Sequence, residues 1–480
     1  MNTKIAIKSK KSTLMTLFFL LIIISCNTTE NNLDNRNKQV DSGMKKLFSR
    51  NELVEMNFPF GKYGKDVPLG DPDVEWKRSN PDIIVFAPSG SGIYNGDNEH
   101  FLVFEAPQSK ELIAVWTQSS VEGYGDNHLV LARSNDVINW SEPKYLVGAK
   151  YGNGGFQASW GFPIISKKGR IYIFYTKEIE VFDNNRQGSG SMGCIYSDDN
   201  GFTWTEPKEI DMPRSKYDNP DEKYPKNWIV WQKPVEDNEG KWIAGYTLIT
   251  SESVKKSEKN WVNVDSRCYF MRFMNIDENP RPENIKIEWY PENDKGLEVR
   301  NPLYPHLSTA QEPATVLLPD GRLFTVMRTM TGYIYYSVSS DNAKTWSEPK
   351  ILKYSDNGEG IQHPMSPCPL FKMKNEKFLL IFHNNNGRRF DYNQADTEWD
   401  INVANVVRNP TYYTVGEFRE NGEQPIWFGT PVEFLNTQDI AVKPKMTAEI
   451  GTYPSLTEFK DEKIIWYPDR KRFLLGKYLN

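Results

Sequence analysis

An all-β fold made of repeated small sheets is what this sequence predicts, and three observations predict it. One turn motif occurs three times, one short apolar strand occurs six times, and no long stretch keeps a helical period. The composition agrees. The 480 residues are 38% hydrophobic, 25% charged and 13% aromatic, and 30 Pro, 32 Gly and 14 Trp favour short strands and turns over helices. A chain of this length exceeds an ordinary single core unless a unit repeats around an axis.

The first element is a leader. Lys4, Lys8, Lys10 and Lys11 precede an apolar run from Leu14 to Ile24 that only Thr16 interrupts. The run is shorter than the roughly 20 residues a membrane-spanning helix needs, and this pattern is that of an export signal. It ends Ile23-Ile24-Ser25-Cys26, and Asn27 to Asn37 is polar and Asn-rich, as a tether would be. Removing the leader takes four lysines and no acids, so the net charge moves from −5 to −9, and no basic stretch suggests a nucleic-acid partner. Cys194, Cys268 and Cys368 are odd in number and widely spaced, which predicts buried free thiols, with one disulfide open to an exported chain.

Then come the strands. Leu112–Trp116, Ile171–Phe174, Trp242–Gly245, Leu323–Val326, Phe378–Ile381 and Ile464–Tyr467 each follow a Gly-Lys, Gly-Arg or acidic turn. A short run apolar at every position reads as a strand buried on both faces. Between them lie the turns. Ser197-Asp198-Asp199-Asn200-Gly201-Phe202-Thr203-Trp204 is repeated by Ser339 to Trp346, and by Ser134 to Trp140 with one residue fewer. All three run into Ser/Thr-Glu-Pro. Asp, Asn, Ser and Gly bond their own backbone or take positive φ, which suits a hairpin connection. Six such strands predict a β-propeller of six blades, or seven if Asn51 to Asp82 adds strands. Two β-sandwich domains would compete, but the recurring turn and the lack of a linker argue against them.

The turn resembles the Asp-box, or BNR repeat, of the sialidase-like β-propellers, and the chain is identified as a member of that superfamily. The turn itself staples a blade; chemistry is sought elsewhere. The segment ending in Cys26 resembles a bacterial lipobox, which implies a signal peptide over 1–25, a lipid-anchored tether over 26–45 and one catalytic propeller over 46–480. The implied location is the bacterial outer membrane, with the membrane touched only through the Cys26 lipid, and the implied assembly is a monomer.

Within the resemblance, Glu312 and Arg328, sixteen residues apart, match the glutamate that polarises a tyrosine nucleophile and one of three arginines that clamp a carboxylate. Arg388 or Arg389 resembles a second clamp arginine, and Tyr453 the nucleophile, with Pro454 intervening before Ser455. The first blade departs from the family. His100 stands where the first clamp arginine is expected, and Asp126 or His128 stands near the place of the acid. Of the five histidines, His100 and His128 carry most weight, then His363 and His306, with His383 beside the clamp segment. Trp160 and the Trp228–Trp231 stretch could stack on sugar rings.

The resemblance implies an acidic poly- or oligosaccharide as partner. A His in place of an Arg weakens sialidase-type hydrolysis and supplies a base, so elimination from a uronic acid is preferred. Ulvan-degrading lyases and a dehydratase on related propellers are similar in type. Exo-sialidase-like hydrolysis, with Tyr453, Glu312 and Asp126, is the alternative. A glycan-binding lipoprotein without turnover is the third. No cofactor is required; a structural Ca²⁺ in the channel stays open, though no acidic cluster with ligand spacing demands one.

Overall fold

The computed structural model describes residues 68–88, 95–123, 125–149, 155–179, 181–183, 188–257, 264–302, 304–387 and 407–479. Cys26, the leader and the tether lie outside them. The regular structure of the described residues is almost entirely antiparallel sheet, joined by turns and loops.

Each apolar run anticipated from the sequence lies in a strand that pairs on both sides. Leu112–Ser119, Ile171–Lys177, Trp242–Ile249, Leu323–Thr329, Phe378–Phe382 and Glu462–Asp469 occupy the second positions of six units, four of them four-stranded and two with one edge position split into two short strands. Leu112–Ser119 is buried at every position, as a strand covered on both faces must be. In the first unit, for example, Asp97–Glu105 pairs with Leu112–Ser119, which pairs with His128–Ser134, which pairs with Lys144–Gly148. Two units share one nine-stranded sheet, because Lys226–Ile229 pairs both with Trp242–Ile249 and with Ser189–Ser197 of the unit before. The last unit closes the ring. Ile83–Phe86 pairs with Phe473–Tyr478, so the start of the described chain completes a sheet whose other three strands come from its end. Of the stretch Asn51 to Asp82, residues 51–67 lie outside the described residues, and 68–82 carry a single bridge from Leu69 to Ala441 and a short 3₁₀ turn, Glu75–Lys77, but no strand of a further blade.

The three recurring turns each join a third strand to a fourth. In the middle copy, Asp199 accepts from the Phe202 and Thr203 amides at 3.1 and 2.9 Å and from the Thr203 hydroxyl at 2.6 Å. The Trp204 indole closes the loop on the Gly201 carbonyl at 3.1 Å. Asn200 and Gly201 take φ of 61° and 82°, which explains the Asn-Gly at that place. Apolar layers fill the space between neighbouring units, as where Phe162 and Phe174 of the second unit meet Phe273 of the third. Cys194, Cys268 and Cys368 are buried and free.

Candidate active site

The first strands of the units are not regular. The pairing slips by one residue between Glu99 and Leu102, between Ser159 and Phe162, and between Gln311 and Ala314. At each slip one residue adopts the left-handed region: His100 at φ 54°, Trp160 at 57° and Glu312 at 52°. Tyr453, just before Ser455–Phe459, does the same at 55°. None is Gly or Asn, so each position costs about 1–2 kcal/mol. The bulge lifts the side chain out of the ladder and re-aims it. A threonine on the second strand of the preceding unit steadies two of these amides: Trp160 donates to Thr117 Oγ1 at 3.0 Å, and Glu312 to Thr247 Oγ1 at 2.7 Å.

These four strained residues meet. Tyr453 donates its hydroxyl to Glu312 Oε1 at 3.1 Å, and its ring lies 4.3 Å from His100 and 5.5 Å from Trp231. His100 meets Trp160 edge-on at 5.6 Å. Glu312 Oε2 lies 2.9 Å from Arg328 Nη1, while the Arg328 Nε and Nη2 groups donate to Gln311 Oε1 at 3.2 and 2.7 Å. Side chains from four different units thus converge on one buried hub, with Trp231 from a fifth.

A shell of ions surrounds the hub. Lys471 Nζ sits 2.6 Å from Glu99 Oε2, 2.7 Å from Glu122 Oε2 and 5.6 Å from the centre of the Tyr453 ring. Lys445 pairs with Glu122 and, at 3.3 Å, with Asp97. Arg408 pairs with Glu449 at 2.9 Å and donates to the Met365 carbonyl at 2.6 Å.

The electrostatics follow from burial and these neighbours. Burial, then the Lys471 charge, holds the His100 imidazole well below the ordinary histidine range, so it is neutral. Burial pushes the Glu312 carboxyl up against the pull of Arg328. Burial and the Glu312 charge push the Tyr453 phenol up, against Arg328, Lys471 and Arg408. Asp126, in the first unit, is pushed up to about 6, chiefly by burial. One of its oxygens accepts from the Ser120 amide at 3.0 Å; the other has no hydrogen-bond partner among the described residues.

Five residues anticipated from the sequence are therefore brought together: His100, Trp160, Glu312, Arg328 and Tyr453. Others sit apart. His128 holds its Nδ1 2.8 Å from the Asp126 carbonyl and packs 6.0 Å from Tyr145 within its own unit. His363 and His383 stack on each other at 5.6 Å and serve the backbone. His363 Nε2 lies 2.8 Å from the Ser366 carbonyl, and its Nδ1 accepts the His383 amide at 3.2 Å. His383 Nδ1 is 3.2 Å from the Pro410 carbonyl, and burial takes its imidazole down to about 3. His306 is exposed beside Tyr304. Arg388 and Arg389 lie outside the described residues.

Sequence reasoning missed Lys471, Lys445, Arg408, Glu99 and Glu122. Lys471 stands in Asp469-Arg470-Lys471-Arg472, a charged hairpin turn that reads as surface. The only available signal was Glu99 beside His100.

No curated protein matches this sequence. Among solved structures, the chain is similar to a protein of unknown function from Dyadobacter fermentans, at 12% identity over 84% of this chain and 98% of that one, with a TM-score of 0.54. It is also similar to the NanB sialidase of Streptococcus pneumoniae, at 13% identity over 83% of this chain and 70% of that one, TM-score 0.54. The intramolecular trans-sialidase of Ruminococcus gnavus, solved with oseltamivir carboxylate, matches at 14% over 82% and 96%, TM-score 0.52. At such identities the likeness is one of fold. The model for the BNR repeat-like domain matches residues 110–391, more than half of the sequence. With its Asp-box turns and its ring of four-stranded sheets, the chain belongs to the BNR repeat-like domain family, among the sialidase-like β-propellers.

Proposed function

We propose that the protein is a carbohydrate-active enzyme that cleaves glycosidic bonds through a tyrosine nucleophile, Tyr453, with Glu312 as its base. The observation that carries this reading is the hydrogen bond from the Tyr453 hydroxyl to Glu312 Oε1, 3.1 Å long and buried between two strained backbone positions. A phenol held on a carboxylate inside a low-dielectric hub is an activated nucleophile. As the Tyr453 oxygen bonds to the anomeric carbon, its proton passes to Glu312 and the glycosidic C–O bond breaks. The proton that the departing oxygen needs is assigned to Asp126, whose buried carboxyl near 6 suits that task and which feels the charge of Asp97, the partner of Lys445 in the ionic shell. Water then attacks the anomeric carbon and gives a proton to Asp126, while the bond to Tyr453 breaks and Glu312 returns its proton to the phenolate oxygen.

This ordering differs from the preference drawn from the sequence. Elimination asks for cations free to neutralise a uronate carboxylate, and the Arg328 guanidinium is engaged by Glu312 and Gln311. Elimination remains the second reading because of one specific contact: the neutral His100 imidazole, 4.3 Å from the Tyr453 ring, is a base placed beside a proton donor. The substrate in either case is an oligosaccharide, with sugar acids the first to try. Export and anchoring through Cys26 complete the proposal.

A mass-spectrometric screen of acidic and neutral oligosaccharides tests it. Hydrolysis gives fragments that together have gained one water. A lyase gives an unsaturated end with no water gained, and a dehydratase a product lighter by one water. Tyr453→Phe is expected to lose about a thousandfold or more in kcat. Wild-type turnover by Tyr453→Phe would refute the nucleophile.

A further inference from the structure

We propose that Lys471 is a positioning residue of this site: its ammonium, pinned between Glu99 and Glu122, holds a fixed positive charge against the Tyr453 ring and favours the phenolate that appears as Glu312 takes the proton. The inference rests on the reading of Tyr453 and Glu312 as the reacting couple.

The geometry is built for a stationary charge. Lys471 lies in the turn between Glu462–Asp469 and Phe473–Tyr478, where Arg470 and Lys471 both take the left-handed region, at φ 55° and 51°. Two consecutive strained residues turn a side chain that would otherwise point to solvent into the hub, where it is 5% exposed. A lysine is ordinarily a flexible charge on a long stem. Here Glu99 and Glu122 hold its nitrogen at 2.6 and 2.7 Å, and Lys445 and Asp97 in turn fix Glu122. Burial opposes its charge, yet Glu122, Glu99 and Glu449 keep it protonated.

The groups that face Tyr453 come from every part of the ring: Glu312 and Arg328 from the fourth unit, His100 from the first, Trp231 from the third, Arg408 with its partner Glu449, and Lys471 from the last. Arg328 and Arg408 each have a carboxylate or carbonyl partner of their own. Lys471 acts on both members of the ring pair, easing ionisation of the phenol and opposing protonation of His100. Unlike Glu312, it neither gives nor takes a proton, so its part is purely electrostatic.

The test compares Lys471→Met and Lys471→Arg in the full chain. One readout needs no substrate: the His100 imidazole resonance, assigned with His100→Gln and followed by NMR from acid to neutral pH. Lys471→Met is expected to move the His100 titration upward, and Lys471→Arg to leave it near its wild-type position. On the oligosaccharide that the screen identifies, Lys471→Met is expected to lose about tenfold or more in kcat with little change in KM, and to recover as pH rises. Lys471→Arg restores most of the loss. If Lys471→Met does not fold, Glu122→Gln removes one counter-charge while leaving the ammonium, and the His100 titration moves the opposite way. A His100 titration that ignores these substitutions overturns the proposal. Activity surviving in Lys471→Met but lost in Tyr453→Phe overturns the role of Lys471 alone. Activity surviving in Tyr453→Phe overturns the reading beneath it.

Discussion

Replacing Asp126 by Asn should make the protein more stable and less active, and the size of the gain follows from its surroundings. The carboxyl is 5% exposed, accepts one bond from the Ser120 amide, and leaves its second oxygen without a hydrogen-bond partner among the described residues. Burial, with the Asp97 charge adding to it, raises it from 3.8 to about 6. At about 1.4 kcal/mol per pH unit, the ionised form then destabilises the folded state by roughly 3 kcal/mol. The sign can be followed through linkage. Between about pH 4 and 6 the folded protein binds the proton that the unfolded chain has released, so wild-type stability falls as pH rises through that window. Below it the carboxyl is neutral in both states and the penalty vanishes. Asparagine is neutral throughout, keeps an oxygen for Ser120, and buries an amide whose lost solvation costs about 1 kcal/mol. Urea unfolding should therefore find Asp126→Asn more stable than wild type by about 1–3 kcal/mol at pH 7, and by nothing at pH 4. Activity should be lost in the variant, and in wild type it should fall as pH rises above about 6. A stability difference that stays constant from pH 4 to 7 would refute the argument, because it would mean that the carboxyl is not held in its acid form by the fold.

The hub and the turns make further claims. Arg328→Met leaves the buried Glu312 without its 2.9 Å partner, and should cost about 3–5 kcal/mol in urea unfolding as well as activity. Adding Glu312→Gln should recover much of that stability but no turnover, and a single-variant cost under about 1 kcal/mol would show the pair to be solvated. Asp341→Ala removes the bonds to the Thr345 amide and hydroxyl at 2.8 and 2.6 Å in one Asp-box. It should cost about 1–2 kcal/mol while kcat and KM per folded molecule stay at wild-type values.

What the sequence makes legible is whatever a single hairpin contains. The second strands could be read because burial on both faces demands an apolar residue at every position, as in Leu112–Ser119. The Asp-boxes could be read because their side chains bond their own backbone. Even the Glu312–Arg328 spacing belongs here: Gln311 pairs with Arg328 across one hairpin, so the sixteen residues between Glu312 and Arg328 are one strand, one turn and one strand back. The partners of Tyr453 are another matter. His100 and Tyr453 lie 4.3 Å apart at opposite ends of the described chain, and only the closing of the ring joins them. Arg408 and Lys471 reach the hub through loops whose composition reads as surface.

The bulges are the least visible feature and the most consequential. Left-handed backbone is usually announced by Gly or Asn, yet His100, Trp160, Glu312 and Tyr453 occupy it without that signature. The strain is sustained by neighbours, as where Thr117 and Thr247 hold the amides of the next unit. The third unit has a comparable break, since Lys226–Ile229 and Val235–Glu236 pair with one strand on either side of Trp231. One strained backbone position thus recurs around the ring with a base, an indole, a carboxylate and a phenol on it, and Trp231 adds a second indole from the break in the third unit. The repeat supplies the geometry and cannot supply the chemistry, because each strained copy must carry a different side chain for the four to form one site. A search for repeated residues finds the Asp-boxes and passes over the hub. The hub emerges when the equivalent, strained and unlike positions are laid side by side.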